Sequence, residues 1–577
     1  MKRIALLAAL LVVAFPASGL AADRGFEKTS WNVPVTLPDE SGGPVELETD
    51  VYLPNREPGP RGLPLVAVFH GGGGRKDSGF DGGHAEALAK RGYAAILYSQ
   101  RGHGNSGGQT AVAGPTEMRD AFDVLAWTLG IGGREEPAHP GFQLDRRRIA
   151  LWGDSQGGLH TNLLQVYRSD RELNPYKIRF RALLPANTPD YVLEALIENQ
   201  VTKFTFGAGL LKTYYVDSGR VSPLVSKWIA SAAADNPGAG ELCEHSDHDS
   251  STSSMRQDLA VRSVGCFAER VRPPVMWSQA FDDPLFTPDM AIDMYERLPN
   301  PKDRLYLTMA GHAAPGEQEK VARRETRARI RFLDHHLRGK PLGGKPIVFW
   351  TRDPEVEVPA DAYRYPLGAW RRQSTRVWPP RGTRTARYQL SADGTAVPSG
   401  AEAGSLPLSP VASDGSNDAI LNAALSSTPL GTAPAAAAPA SAAPGSIARF
   451  ETEPFAGERE LSGQTRASVL WTPASPDSQV VVKLFDRSSD GTLTLLGRGV
   501  QGLRGAVSGA QQRVEVALNH FSSCVRSGHS LVAYVIAADF FFYKPYPVSL
   551  GGTLTAGPNS VLEVPLRKRR VVRSPRG

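Results

Sequence analysis

Residues 148–158 read Arg-Ile-Ala-Leu-Trp-Gly-Asp-Ser-Gln-Gly-Gly. The first five residues are mostly apolar, as in a strand that is buried on both faces of a sheet, and residues 159–167 have a helical pattern. The stretch therefore predicts a tight strand-to-helix turn with Ser155 at its apex. Glycines two residues before and after the serine allow the turn to close. The hydroxyl then projects at a helix amino terminus, where developing negative charge is stabilised.

The same alternation of short apolar strands and helical patterns extends in both directions along the chain. It predicts an α/β fold with a mostly parallel, doubly wound sheet and right-handed crossovers. The predicted strands are 63–69, 93–98, 148–152, 274–279 and 303–309, and the predicted helices lie near 84–91, 115–129, 159–167 and 317–337. Residues 31–53 predict a β-hairpin before this core. The alternation pauses at about 190–270, where helical patches at 192–204 and 223–233 indicate a helical lid insertion.

Candidate partners for a nucleophilic serine follow it in the order acid, then histidine. A serine hydroxyl is barely ionised at neutral pH and needs a base to become a nucleophile. Asp282 and Asp283 follow one later predicted strand, and His312 follows the next. We predict Ser155 as nucleophile, His312 as its base, and Asp283 as the acid that orients the imidazole. Asp282 is the alternative acid.

A glycine-rich loop follows the predicted strand 63–69 and reads His-Gly-Gly-Gly-Gly at residues 70–74. Acyl transfer passes through an oxyanion that needs hydrogen-bond donors, and glycines let backbone amides approach a substrate closely. We predict the backbone N–H of Gln156, the residue after the serine, as one donor. Gly72 is the first choice for the second donor, and Gly71 is the alternative.

Helical periodicity largely disappears beyond about residue 345, and short alternating strands separated by Gly, Pro, Asp and Asn turns replace it. Many short strands at such spacing predict an all-β sandwich or jelly roll. We therefore divide the chain into a signal peptide at 1–21, a catalytic domain at 22–345, a β-domain at 346–565 with a low-complexity loop at 428–445, and a basic tail at 566–577.

The amino terminus has the pattern of an export signal. Lys2 and Arg3 precede an apolar run, and small residues lead to a predicted cleavage before Ala22. No later segment is apolar enough to span a bilayer, so we expect a secreted or periplasmic protein. Export would permit a disulfide between Cys243 and Cys266, with Cys524 left over. The alternative is three reduced, buried thiols.

The charge pattern argues against nucleic acid as a partner. The formal net charge is +6, and part of it lies in the terminal basic tail, which we expect to be solvated. The chain has no basic stripe interleaved with aromatic residues.

The Cys, His and Asp residues at 243–249 have no ordinary metal-ligand spacing. We therefore expect no metal and no cofactor. The oligomeric state stays open.

Residues 46–340 resemble α/β-hydrolases in the serine turn, the glycine loop, the ordered acid and histidine, and a loop at 100–108 that is similar to Arg-Gly-x-Gly-x-Ser. The residues after Asp283 also resemble the family pattern, which favours that acid. Several later stretches resemble the C-terminal domain of X-prolyl dipeptidyl-peptidases and bacterial cocaine esterases: 450–455, 461–463, 480–486 and 527–529. The resemblance implies a lidded hydrolase domain followed by a jelly roll. Gln156 stands where those families usually have tyrosine, and no tryptophan precedes His312.

The sequence thus predicts a serine hydrolase that cleaves an ester or amide bond through an acyl-serine intermediate. The expected substrate is a small ester, an amide or a short peptide. An X-prolyl dipeptidyl-peptidase is the second reading, and Glu194 or Glu198 of the insertion would then hold the substrate's amino group. A secreted binding protein with a degenerate hydrolase domain is a third reading, which the ordered triad argues against.

Overall fold

The computed structural model describes residues 25–133, 141–203, 220–244, 253–283, 285–309, 311–312, 319–352, 370–410, 436–437, 445–539 and 542–568. The predicted signal peptide, nearly all of the low-complexity loop and most of the basic tail lie outside these residues.

A twisted sheet of ten strands forms the catalytic half of the described chain, in the order β1-β2-β4-β3-β5-β6-β9-β10-β11-β12. Its strands are β1 (Phe26–Pro34), β2 (Glu46–Pro54), β3 (Leu63–Phe69), β4 (Ala94–Tyr98), β5 (Leu144–Asp154), β6 (Ala182–Ala186), β9 (Met276–Ala280), β10 (Arg304–Thr308), β11 (Ile347–Arg352) and β12 (Trp370–Thr375). Neighbouring strands from β4 to β11 run parallel, and both edges end in antiparallel pairs. The predicted α/β fold class and mostly parallel sheet are confirmed.

Helices cover both faces of this sheet, as its near-continuous apolar strands require. They are α1 (Gly79–Ala89), α2 (Pro115–Thr128), α3 (Gln156–Val166), α7 (Pro288–Arg297) and α8 (Glu319–Arg338). On one face α1 and α8 meet at Trp152, because the His84 ring lies 4.6 Å from the indole and the Arg329 guanidinium lies 5.0 Å from it. The core of the sheet is fully buried apolar side chains from β3, β4 and β5.

The insertion between β6 and β9 differs in one respect from the sequence prediction. A helix over 192–204 was expected, but α4 (Val192–Leu196) ends after five residues and the chain turns into a short hairpin of β7 (Ile197–Glu198) and β8 (Val201–Thr202). The turn residues Asn199 and Gln200 have positive φ angles of 46° and 71°, which a helix does not allow. The other helices here are α5 (Pro223–Ala233), as predicted, and α6 (Met255–Ala260).

The carboxy-terminal half is an all-β domain, as the sequence predicted. Its strands are β13 (Arg384–Leu390), β14 (Thr395–Val397), β15 (Gly404–Leu408), β16 (Ala436–Ala437), β17 (Ile447–Thr452), β18 (Arg459–Gly463), β19 (Arg466–Pro473), β20 (Ser478–Arg487), β21 (Leu493–Leu503), β22 (Gln512–Ala517), β23 (Phe521–Val525), β24 (Ser530–Ile536) and β25 (Gly552–Lys568). One group is ordered β14-β17-β24-β20-β21, and a second surrounds the long β25, which pairs with β13, β15, β18 and β19.

Strands β11 and β25 do not follow the domain boundaries that we drew from the sequence. Strand β11 lies beyond residue 345, yet it pairs in parallel with β10 and so continues the catalytic sheet. At the far end of the chain, β25 continues to Lys568, inside the stretch predicted as a solvated tail. Arg567 is held there by Glu460, with Nε 3.0 Å from Oε1.

Cys243 and Cys266 form a disulfide within the insertion, and Cys524 is a buried thiol in β23. This resolves the two alternatives for the cysteines in favour of one bridge. Within the described residues, no helix has the length and hydropathy needed to cross a lipid bilayer.

Candidate active site

Ser155 lies at the apex of the turn that joins β5 to α3. Its φ and ψ are 58° and −123°, a strained region for a residue with a side chain. The backbone N–H of Ser155 donates to the carbonyl of Ala186 on the neighbouring strand at 2.9 Å. This bond fixes the strained turn to the carboxyl edge of the sheet, so the hydroxyl projects from that edge.

The glycines around the serine are required by close backbone contacts. A Cβ at Gly153 would lie 2.1 Å from the carbonyl oxygen of Gly157, and a Cβ at Gly157 would lie 2.1 Å from that of Phe69. A Cβ at Gly158 would lie 2.6 Å from the Cβ of Thr188. Strand, turn and helix therefore pack at distances that exclude any larger residue, as the sequence pattern predicted.

Ser155, His312 and Asp283 form one hydrogen-bonded line. The Nε2 atom of His312 lies 3.0 Å from Oγ of Ser155, and its Nδ1 lies 2.9 Å from Oδ2 of Asp283. A carboxylate only accepts hydrogen bonds, so Nδ1 donates to Asp283. In the neutral ring Nε2 then carries a lone pair and accepts the proton of the serine hydroxyl, which is the arrangement that a general base needs.

The two adjacent aspartates have different partners. Asp283 is buried, and its Oδ1 accepts hydrogen bonds from the backbone N–H groups of Leu285 and Phe286 at 2.8 and 3.1 Å. Asp282 instead accepts from the backbone N–H of Gly311 at 3.0 Å, so it holds the loop that carries His312. Burial, opposed by that hydrogen bond, raises the pKa of Asp282 to about 7. The geometry therefore favours Asp283 over Asp282 as the partner of the imidazole.

The glycine loop after β3 lies against the serine. A Cβ at Gly71 would be 3.4 Å from the Cβ of Ser155 and 3.9 Å from its Oγ. The carbonyl oxygen of Gly71 accepts hydrogen bonds from the N–H of Gly74 at 3.0 Å and from Nδ1 of His70 at 2.7 Å. These two hydrogen bonds hold the carbonyl of Gly71 within the loop. The backbone of Gly71 is therefore fixed close to the hydroxyl of Ser155.

A buried network of side chains connects this loop to the residue after the serine. The ring of His70 is fully buried, and burial keeps its pKa well below the usual value, so the ring is neutral. Its Nε2 accepts the backbone N–H of Gln100 at 2.9 Å, while the side-chain amide of Gln100 donates to the carbonyl of His70 at 2.9 Å. The side chain of Gln156 donates to Oε1 of Gln100 at 2.7 Å. Gln156 therefore turns its side chain into the interior.

Arg329 of α8 stabilises the turn that carries Ser155 by binding the neighbouring Asp154. Its Nη1 and Nη2 lie 3.2 and 3.1 Å from the two carboxylate oxygens of Asp154, the residue before the serine. It also pairs with Glu325 one turn earlier on the same helix. Burial alone would lower the pKa of Arg329, but the two carboxylates raise it, so the guanidinium stays charged.

Asn187, which the sequence analysis did not single out, connects three parts of the site. Its Oδ1 accepts the N–H of Ala280 at 3.0 Å, and its Nδ2 lies 3.4 Å from the carbonyl of Gly311. It thus joins the strands that carry the acid and the histidine to the strand beside the serine. The sequence clue that could have identified Asn187 is its position, because it directly follows β6 at the sheet edge that carries Ser155.

The β-domain packs against the loop that carries the acid. Leu285 and Phe286 belong to a small buried cluster with Val201 of the insertion and with apolar residues of β20, β21 and the segment at 542–546. The ring of Phe286 in turn lies 5.3 Å from that of His312, edge to face. Three parts of the chain therefore meet beside the imidazole.

Within the described ranges, no three His, Cys, Asp or Glu side chains gather as they would around a metal ion. Cys243, which the sequence placed in a metal-like cluster, is bound in the disulfide, and residues 245–249 lie outside the described ranges.

Comparisons with known proteins agree with this architecture. The family model of the X-Pro dipeptidyl-peptidase (S15 family) matches residues 41–173, and that of the X-Pro dipeptidyl-peptidase C-terminal non-catalytic domain matches 349–571. No curated protein sequence matches the chain.

Several solved structures share the fold over nearly the whole chain. A CocE/NonD family hydrolase from Staphylococcus aureus aligns with a TM-score of 0.64 at 12% identity, over 94% of this chain and 97% of that one. An α-amino acid ester hydrolase aligns with a TM-score of 0.64 at 14% identity, over 96% and 99%. An aminopeptidase from a marine sediment Thaumarchaeota archaeon aligns with a TM-score of 0.64 at 14% identity, over 97% and 99%.

A nucleophile-type turn at the carboxyl edge of a mostly parallel sheet defines this chain as a hydrolase of the α/β-hydrolase fold. Residues 41–173 match the S15 family of X-Pro dipeptidyl-peptidases and residues 349–571 match the C-terminal non-catalytic domain of those peptidases, so the chain combines the two domain types of S15-type serine hydrolases.

Proposed function

We propose that Ser155, His312 and Asp283 are the catalytic triad of an exported acyl hydrolase. The observation that carries the proposal is the hydrogen-bonded line from Oγ through the imidazole to the buried carboxylate, at 3.0 and 2.9 Å. The strained φ of Ser155 and its place at the start of α3 add independent support.

The reaction proceeds in two acyl transfers. Oγ of Ser155 attacks the substrate carbonyl carbon while its proton passes to Nε2 of His312, and Asp283 stabilises the imidazolium. The tetrahedral intermediate collapses to an acyl-serine, and His312 returns the proton to the leaving alcohol or amine. Water then attacks the acyl-serine with His312 as base, and the carboxylic acid and free Ser155 are released.

Backbone N–H groups supply the oxyanion donors in this proposal. The N–H of Gln156 lies at the first position of α3, where the helix dipole also favours negative charge. Gly72 and Gly71 are the candidates for the second donor. The contact of Gly71 with Ser155 supports the loop as the source. Loss of one such donor costs about 10²–10³ in kcat.

The substrate is an ester, an amide or a short peptide. An α-amino acid ester hydrolase and an aminopeptidase are among the structures that share this fold, so both bond types fit the scaffold. The second candidate, an X-prolyl dipeptidyl-peptidase, is favoured by the description of the matching family.

An exopeptidase must hold the free amine of its substrate with a carboxylate. Glu198 is already engaged, because its Oε2 lies 2.8 Å from Nζ of the buried Lys203 and its Oε1 accepts the hydroxyl of Tyr543 at 3.1 Å. Burial, with Glu198 nearby, raises the pKa of Glu194. Because Glu198 is engaged, Glu194 is the better candidate for an amine, whose positive charge would counteract the rise in its pKa.

Export is the last part of the proposal, and the disulfide supports it. Disulfides persist in oxidising compartments and are rare in the cytosol. The bridge Cys243–Cys266 therefore agrees with the predicted signal peptide and with a periplasmic or extracellular location.

Hydrolysis of p-nitrophenyl esters of increasing acyl length and of one X-Pro-p-nitroanilide tests the function. We expect ester cleavage that Ser155→Ala lowers by roughly 10⁶-fold without loss of the fold. Cleavage of the anilide, with a KM that rises in Glu194→Gln, would instead establish the exopeptidase. Full activity in Ser155→Ala, or no labelling of Ser155 by a fluorophosphonate, would refute the triad.

A further inference from the structure

A strongly basic surface extends from the amino-terminal edge of the catalytic sheet along the exposed side of α8. It contains two neighbouring depressions of about 350 and 380 Å³ that share Arg338. Arg91, Arg327 and Arg331 line the first, and Arg56 and Arg61 line the second. We call this area the basic face.

The positive charge of the basic face is far from neutralised by its own carboxylates. Eight arginine and lysine side chains line the two depressions, together with the carboxylates of Asp334 and Glu57. Asp145 adds a third carboxylate through its pair with Arg148 at 2.6 Å. A surplus of five positive charges remains on this one face, against +6 for the whole chain.

Helix α8 supplies much of this surplus. Arg338 and Lys340 share the carboxylate of Asp334, at 3.2 and 3.0 Å. Arg327 and Arg331 are exposed one helical turn apart. Like charges at this spacing repel each other and destabilise an isolated helix. An anionic partner that lay across them would remove this cost.

The chemistry of the face favours phosphate groups. Arginine binds phosphate through two parallel N–H groups, and seven of the eight lining cations are arginines. The linings hold no aromatic side chain on which a nucleic-acid base would stack. The cations come from four separate segments (the loop before β3, the turn before β4, strand β5, and α8 with the residues just after it), so they form a broad surface.

We propose that the basic face docks the protein on a lipid surface with anionic phosphate headgroups. The start of β3 and the end of α8 lie at this face, whereas Ser155, Asp283 and His312 follow the carboxyl ends of parallel strands. A docked molecule therefore directs its catalytic edge away from the membrane and keeps its access to substrates in the medium. This inference stands apart from the proposed hydrolysis, because it needs no chemistry at Ser155.

Cosedimentation of the full mature chain with vesicles tests the docking surface. We expect binding to phosphatidylcholine vesicles that contain phosphatidylglycerol, none to pure phosphatidylcholine vesicles, and loss of binding at high salt. The triple variant Arg91→Gln, Arg327→Gln, Arg331→Gln should bind roughly 100-fold more weakly. Its turnover of a soluble p-nitrophenyl ester should equal that of the wild type.

A matched variant separates this face from general charge. Arg381→Gln, Arg384→Gln, Arg387→Gln removes the same charge from exposed positions of the β-domain and should bind vesicles as the wild type does. Equal weakening by both triples, or equal binding to neutral vesicles, would overturn the proposal. Binding to heparin or DNA without binding to anionic vesicles would overturn it too, in favour of a soluble polyanion.

Discussion

The side-chain amide of Gln156 donates a hydrogen bond to Oε1 of Gln100 at 2.7 Å, inside the protein and away from Ser155. The residue after the nucleophile therefore contributes its backbone N–H to the site, while its side chain fixes the position of that backbone. Gln100 also forms two hydrogen bonds to His70, one to its ring and one to its carbonyl. The side chains of Gln156 and Gln100 together therefore fix the position of the serine turn relative to the glycine loop.

Replacing Gln100 tests this positioning role. Gln100→Met keeps the volume but removes the hydrogen bonds of Gln100 to the carbonyl of His70 and to the side-chain amide of Gln156, so we expect kcat to fall about tenfold with KM nearly unchanged. Steady-state kinetics on a p-nitrophenyl ester measure the split. Gln165→Met is the control, because it removes a similar buried hydrogen bond, to Arg270, on the same helix as Gln156. A kcat loss of the same size in Gln165→Met would show that general destabilisation is the cause.

The two aspartates should differ sharply in catalysis. Asp283→Asn loses the carboxylate that orients His312, and we expect kcat to fall about 10⁴-fold. Asp282→Asn keeps an oxygen that can accept the N–H of Gly311, so kcat should fall less than tenfold. Burst and steady-state kinetics of both variants at one pH provide the measurement. A reversed order would identify Asp282 as the acid.

Asp282→Asn should also change how the stability of the fold depends on pH. Burial raises the pKa of Asp282 to about 7, above the value of about 3.9 in an unfolded chain, so the folded state binds the proton more tightly. The stability that this group contributes is complete below about pH 4 and is lost as pH rises through 7. Asp282→Asn should therefore gain stability relative to the wild type between pH 5 and 8, by a few kcal/mol. Denaturant titrations at the two pH values measure it, and a pH-independent difference would contradict the assignment.

The pair of Arg329 and Asp154 should be essential for the turn that carries Ser155. Arg329→Met leaves Asp154 and Glu325 without their buried cation, and we expect a loss of about 3–5 kcal/mol in the free energy of unfolding. Arg331→Met, two residues further on the exposed side of α8, should change it by less than about 0.5 kcal/mol. Chemical denaturation of both variants gives the comparison, and adding Asp154→Asn to Arg329→Met should restore part of the loss.

The disulfide of the insertion should stabilise the chain. The bridge closes a loop with a sequence separation of 23 residues, for which chain entropy gives about 3 kcal/mol. Cys243→Ser with Cys266→Ser, or reduction of the wild type, should lower Tm accordingly, as calorimetry would show. Cys524→Ala should leave the response to reductant unchanged; a lost response there would mean that Cys524 takes part in the bridge.

Local signals predicted the catalytic sheet well. The strand at 63–69 and the helix at 223–233 match β3 and α5 in their bounds, because apolar runs and proline-initiated periodicity are local properties. The α/β class, the following β-domain and the relation to S15 hydrolases were predicted and are confirmed.

Features that depend on distant contacts were missed. The helix expected to 204 ends at Leu196, because the hairpin after it is bonded to the β-domain: the N–H of Gly502 donates to the carbonyl of Asn199 at 3.0 Å. Asn187 and Gln100 looked like ordinary loop residues until their partners, which are distant in sequence, were known. The sequence also left Asp282 and Asp283 open, since adjacent residues share one pattern and differ only in the direction of their side chains.

The placement of β11 beyond the apparent domain boundary bears on fragment design. A chain shortened at residue 345 would leave β10 as a bare edge strand with unpaired backbone groups, next to apolar surface that the β-domain had covered. Such an edge recruits other chains, so the isolated hydrolase fragment should aggregate when expressed. Chimeras that exchange the carboxy-terminal domain between members of this family should therefore join after β12, so that β10, β11 and β12 keep their parental pairing.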